Sequence, residues 1–194
     1  MKRIISTLFC LLIMLTSFAQ SSGEHLKFMG IPITGTITQF QSKLTQKGCT
    51  YNKEASAVLS AGTRAFKGTF VGNKVDIYAY YDTKTKIVYR VKAIINGTTE
   101  DLAEQQYNKI KNLMSQKYGT DYMETSTKDG KESVSFIAWE NVDEVSGVAI
   151  GGIDLYITKD EQSWVRSPYN YNLHIDYYDT KNYDKHTKQE LDEI

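Results

Sequence analysis

After each of two short amphipathic stretches, the apolar period of this chain changes from 3.6 to 2, and this constrains the fold more than any other feature. The alternating segments are separated by only a few Gly- or Asp-rich residues. That leaves no room for the crossover helices that parallel strands need, so the strands must pair as antiparallel hairpins. The expected strands are Thr50–Leu59, Arg64–Val71, Lys74–Tyr81 and Ile87–Ile95, followed by Tyr122–Ser126, Glu132–Glu140, Ala149–Thr158 and Tyr171–Asp179. A short strand is also expected at Leu26 to Phe28. Gly72-Asn73 and Asp129-Gly130 supply two-residue turns of the primed types, whose twist matches the flanking strands. Pro32 and Pro168 both fall outside strand interiors, as a sheet requires.

A capping box marks the first helix. Thr36 is the cap with Gln39 three residues on, Ile37, Phe40 and Leu44 share one face, and Gly48 suits the stop. The second helix opens at Gly97-Thr98 with Asp101 in the place of Gln39, an offset of 62 positions from Gly35-Thr36. Its apolar stripe is Leu102, Ala103, Tyr107, Ile110, Leu113 and Met114, closing at Gly119. Acids crowd its first turn and lysines sit later, the arrangement favoured by the helix dipole.

These periods predict an α+β fold, an antiparallel sheet with helices packed on one face. The expectation is one domain over residues 20–194, built as two diverged helix-plus-hairpin-sheet repeats over residues 26–95 and 96–180. A charged tail over residues 181–194 follows, either a frayed helix or disordered. The repeat is imperfect, since Tyr80-Tyr81-Asp82-Thr83-Lys84 recurs as Tyr177-Tyr178-Asp179-Thr180-Lys181 at an offset of 97 rather than 62.

At the N-terminus, Lys2 and Arg3 precede an apolar run from Ile4 to Phe18, and Ser17-Phe18-Ala19 offers small residues where a signal peptidase reads. Cleavage between Ala19 and Gln20 is expected, with export to the periplasm or the exterior. The run is shorter than the roughly 20 residues of a bilayer span, and no later stretch is as apolar, so no membrane span is expected. Phe9 stands before Cys10 where a lipoprotein site needs a small residue, so no lipid anchor is expected either. Removing Lys2 and Arg3 from 23 basic residues against 23 acidic ones leaves a net charge of −2. Such a chain has no basic field to draw a nucleic acid. Cys49 then stands as a single cysteine in an oxidising compartment. It is read as a buried small hydrophobe, with a catalytic thiol or an intermolecular bridge as the rivals.

Three strands carry an apolar-Asp-apolar-Tyr pattern: Val75-Asp76-Ile77-Tyr78, Ile153-Asp154-Leu155-Tyr156 and Ile175-Asp176-Tyr177-Tyr178. Strand side chains alternate, so each instance turns its apolar pair toward the helices and its Asp and Tyr to the opposite face. Tyr80 extends this face along one strand, and Asn172 and His174 along another. One reading is a solvated sheet face held by cross-strand aromatic pairs. The other is a recognition surface in which rigid amphipathic rings meet a protein or a glycan, with Asp76, Tyr78, Tyr80, Asp154, Tyr156, His174, Asp176 and Tyr178 as the contact residues. A carboxylate-dependent glycan hydrolase using Asp76, Asp154 or Asp176 is the enzymatic alternative. An envelope assembly component that pairs through a sheet edge is the structural one. A Cys49–His174 nucleophile pair has nothing local in its favour. No metal-ligand spacing, phosphate loop or dinucleotide fingerprint is present, and no cofactor is expected.

The segment His25-Leu26-Lys27-Phe28-Met29-Gly30-Ile31-Pro32-Ile33-Thr34-Gly35-Thr36, with the helix and Gly48 that follow, resembles the mature N-terminus of small exported proteins of unknown function from Gram-negative gut bacteria. The resemblance covers about a quarter of the chain. It implies a periplasmic or secreted location and transfers no catalytic residue. At fold level, tandem helix-plus-sheet units with an aromatic, acidic open face resemble the β-lactamase-inhibitory-protein-like and PepSY-like classes, which implies binding or restraint of other exported proteins. This chain departs from the inhibitory-protein pattern in lacking its paired cysteines.

Overall fold

The structure, a computed structural model, describes residues 25–128, 131–141, 147–160 and 169–191. The segment expected to be a signal peptide, the turn expected at Asp129-Gly130 and Pro168 lie outside the described residues. The chain opens with a hairpin, β1 (Lys27–Phe28) and β2 (Ile31–Pro32), followed by α1 (Ile37–Gln46). The capping box at the start of α1 is complete. The Gln39 amide donates to Thr36 Oγ1 while the Gln39 side chain accepts from the Thr36 amide, and Ile37, Phe40 and Leu44 are buried.

Then come β3 (Thr50–Tyr51), α2 (Lys53–Val58), β4 (Thr63–Phe70), β5 (Asn73–Tyr81), β6 (Val88–Thr98) and α3 (Glu100–Tyr118). The second half is β7 (Met123–Lys128), β8 (Lys131–Asn141), β9 (Gly147–Lys159), β10 (Tyr171–Asp179) and α4 (Thr180–Leu191). Strands β3 to β10 form one antiparallel sheet in the order β3-β4-β5-β6-β10-β9-β8-β7. Two meanders therefore run inward from opposite edges and meet where β6 pairs with β10.

The helices, the β1–β2 hairpin and one face of the sheet enclose the core. Its α3 contribution is Ala103, Tyr107, Ile110 and Met114. The hairpin contributes Phe28, which stacks on Phe70 at 5.4 Å and meets the edge of Tyr177 at 5.3 Å. Burying each such large apolar side chain stabilises the fold by about 1.5–3 kcal/mol. Helix α4 closes one end. Asn182 Nδ2 donates to the carbonyls of Ile33 at 3.0 Å and Val88 at 3.3 Å.

Several sequence expectations are corrected. The segment Thr50–Leu59 is not one strand, because Asn52 accepts from the Ala55 amide at 3.1 Å and starts α2. The β4 edge that a longer strand would have paired is met by Ser56, whose Oγ accepts from the Ala65 amide at 2.9 Å. The turn after β4 is Val71-Gly72, both at positive φ (50° and 81°), and not Gly72-Asn73, which would shift the register by one residue. A β-branched residue at positive φ is strained, by roughly 1–3 kcal/mol. The second helix is capped by Thr99, whose Oγ1 accepts from the Leu102 amide at 3.3 Å, while Thr98 is still within β6. The cap-to-cap offset is thus 63 rather than 62, and the helix starts lend the repeat no support. Leu102 and Leu113 are exposed rather than part of the α3 stripe. The tail forms a helix through Leu191.

Candidate functional site

All eight candidate residues sit on the sheet face opposite the helical layer, where strand alternation sends them. Register gathers them into three rows. Tyr80, Arg90, Tyr178 and Gly152 are opposed in sequence across β5, β6, β10 and β9. Next to them run Tyr78, Lys92, Asp176, Asp154 and, on β8, Ser135. The third row is Asp76, Ile94, His174, Tyr156 and Ser133.

The middle row holds the charge. Asp154 and Asp176 are directly opposed, an arrangement that costs free energy unless cations intervene. Asp176 is only 3% exposed, and Arg90 grips it in a fork, Nε donating to Oδ1 at 2.8 Å and Nη2 to Oδ2. Lys92 Nζ lies 3.1 Å from the same Oδ2 and donates to Tyr156 OH at 3.0 Å. Asp154 accepts from Ser135 Oγ at 2.7 Å. Burial pushes the Asp154 carboxyl above the usual range; the Ser135 bond opposes this and neighbouring Asp176 adds to it. Arg90 is held above its ordinary value, chiefly by the Asp176 hydrogen bond. Burial pulls Lys92 down, but Tyr156 and Asp176 outweigh it and the net shift is upward.

The rings are ordered around this row. Tyr156 and His174 stack at 4.7 Å with planes 4° apart, and His174 Nε2 is 2.8 Å from Thr158 Oγ1. Arg90 lies 4.9 Å over the Tyr80 ring. The Tyr178 ring lies over Gly152, where a Cβ would sit 2.3 Å from it. Burial, then Asp154 and Asp176, push the Tyr178 hydroxyl up, and burial with Asp76 and Tyr80 does the same to Tyr78. Asp76 stands apart from the Arg90–Asp176 cluster, accepting from Asn96 Nδ2 at 2.5 Å.

Sequence reasoning missed Arg90 and Lys92. Their signal was the same alternation, Arg90-Val91-Lys92-Ala93, on a strand without the Asp/Tyr pattern. Cys49 is buried in the core with its thiol pushed up by desolvation, and it lies on the other side of the sheet from His174, so the two do not form a nucleophile pair. Asn172 turns to the backbone, its Oδ1 accepting from the Gly97 amide at 3.0 Å. Among the described residues no group of three metal-ligating side chains occurs, and no helix is long and apolar enough to cross a membrane. Comparison with protein-family models, with curated proteins and with solved structures found no match.

Proposed function

We propose that the chain is an exported, non-enzymatic binding module whose open sheet face contacts a protein or glycan partner. One observation carries this reading: the eight candidate side chains fall into three contiguous rows on the face opposite the core, where Asp176 is buried beneath Arg90 and Lys92 as a support, Tyr178 meets Tyr183 of α4 at 5.8 Å, and the other six are open to a partner. Ion-pair, hydrogen-bond and ring contacts hold Tyr80, Tyr156, His174 and Asp176 in place, so these side chains lose little rotamer entropy on contact. Export rests on Lys2, Arg3 and the Ile4–Phe18 run, and cleavage after Ala19 gives a mass that intact-protein spectrometry of the exported fraction reads directly.

The test is crosslinking capture from the native envelope with Tyr78→Ser and Tyr156→Ser variants. Loss of a partner with the melting temperature within a few degrees of wild type is expected. Capture undiminished by both substitutions sinks the reading.

A second reading, a carboxylate-dependent glycan hydrolase, draws on the raised Asp154 carboxyl opposite Asp176. Asp176 is too enclosed by Arg90 and Lys92 to reach a substrate, which is why binding is preferred. Release of reducing sugar by wild type but not by Asp154→Asn would reverse that preference.

A further inference from the structure

Beyond the charged row, the open face dips into a basin of about 470 Å³ over the ends of β4, β5 and β6, a size in the range of small-ligand sites. Its polar lining includes Lys67, Thr69, Lys74, Asp76 and Asn96, and Ile94 is among its apolar lining. Register explains why they converge. Lys67 opposes Asp76, Asp76 opposes Ile94, and Ile94 in turn opposes His174, so the stacked His174–Tyr156 rings adjoin the basin.

Charge distinguishes this basin from the row beside it. Arg90 and Lys92 are both paired with Asp176, and Asp154 stands beside them as the second acid of that row, whereas among the described residues Lys67 and Lys74 make neither an ion pair nor a hydrogen bond. The one acid in the lining, Asp76, is engaged by Asn96, so the basin carries an excess of positive charge next to a carboxylate–amide pair. That pair offers both acceptors and a donor, the set that hydroxyl groups satisfy. Lysine is a hydrated point charge without the forked geometry that arginine brings to phosphate, and no arginine lines the basin.

We propose that this basin binds an acidic sugar, a hydroxylated ring whose carboxylate sits between Lys67 and Lys74 while its hydroxyls engage Asp76 and Asn96. The assignment rests on reading the open face as a recognition surface and adds to it the class of ligand.

The experiment is calorimetric titration of the full chain at low salt with trigalacturonate, sialyllactose, maltotriose and sodium acetate. At least one of the two acidic oligosaccharides should bind, maltotriose and acetate should bind at least tenfold more weakly, and added salt should weaken the interaction. The Lys67→Gln/Lys74→Gln double variant should lose about fivefold in affinity, the scale of two exposed charge contacts, with an unchanged melt. Asn96→Ala should weaken the acidic sugar as well. Equal binding of maltotriose, acetate binding as well as the sugars, no binding of either acidic sugar, or an unaffected lysine variant each overturns the proposal. Failure here with envelope capture still dependent on Tyr78 and Tyr156 removes the basin assignment and leaves the open-face reading intact. Loss of both removes the two together.

Discussion

The same five residues, Tyr-Tyr-Asp-Thr-Lys, close β5 and β10, yet the two aspartates that end them are driven in opposite directions. Each is buried and each faces a histidine: Asp82 lies 3.1 Å from His186 Nδ1, and Asp179 lies 3.0 Å from His25 Nδ1. Burial pushes Asp82 up, but the Thr85 amide at 2.6 Å, His186, the Thr85 hydroxyl and the Lys84 amide outweigh it and hold the carboxyl at about 2. Asp179 is fully enclosed. There burial prevails over His25 and the amides of Asn182 and Leu26, and the carboxyl is raised. Whether such a group favours folding in its charged or its neutral form is thus set by the number of close donors against the depth of burial, not by the local sequence.

Removing each carboxylate tests the comparison most severely. Asp179→Ala leaves His25, the Leu26 amide and the Asn182 amide without their acceptor and should cost about 3 kcal/mol in urea unfolding. Asp82→Ala opens onto loop residues that water reaches and should cost less; the reverse ranking would break the contrast.

The pH dependence should then separate the pair by sign. Asp82, lowered, stabilises the fold above its unfolded value of about 3.9 and loses roughly 2 kcal/mol as pH falls toward 2. Asp179, raised, contributes with the opposite sign, a stabilisation present below about 3.9 and lost as pH rises through its folded value. The cost of Asp82→Asn should shrink on acidification, and that of Asp179→Asn should shrink as pH rises from about 4. Parallel slopes in the two unfolding series would show that the environments do not differ as described.

The smallest effect is expected at the histidines. His186→Phe keeps the ring stack on Tyr89, seen at 4.1 Å, and leaves three donors on Asp82, so thermal melts should register a loss of about 1 kcal/mol or less. His25→Phe should cost more, because only two backbone donors then remain on Asp179.

Much of the fold was legible because alternation is a local signal. The expected Lys74–Tyr81 and Tyr171–Asp179 match β5 and β10 to within a residue, and three Asp/Tyr patterns on one sheet had to share a face. What was not legible depends on neighbours that sequence does not display. Nothing in Thr50–Leu59 shows that Ser56 would take the place of a strand partner on β4, although Asn52 ahead of Lys53-Glu54-Ala55 is a helix-start signal. Nor does the pattern show that Asp176 lies under Arg90 and Lys92 while Asp154 does not, since that asymmetry arises only when β6 pairs with β10 and β9 lies beyond. The recurring pentapeptide, whose offset of 97 does not fit a 62-residue repeat, records two ways of ending a strand on a buried acid.

The placement of β10 bears on how the molecule is made. It is the last strand among the described residues but lies between β6 and β9, and His25 reaches Asp179 across 154 residues. A ribosome delivers such a chain from its beginning, so both flanking strands wait with bare edges until β10 emerges. A product cut short before Tyr171 would leave the facing edges of β6 and β9 both unpaired, and the middle of the sheet is where aggregation of such a product is expected to start.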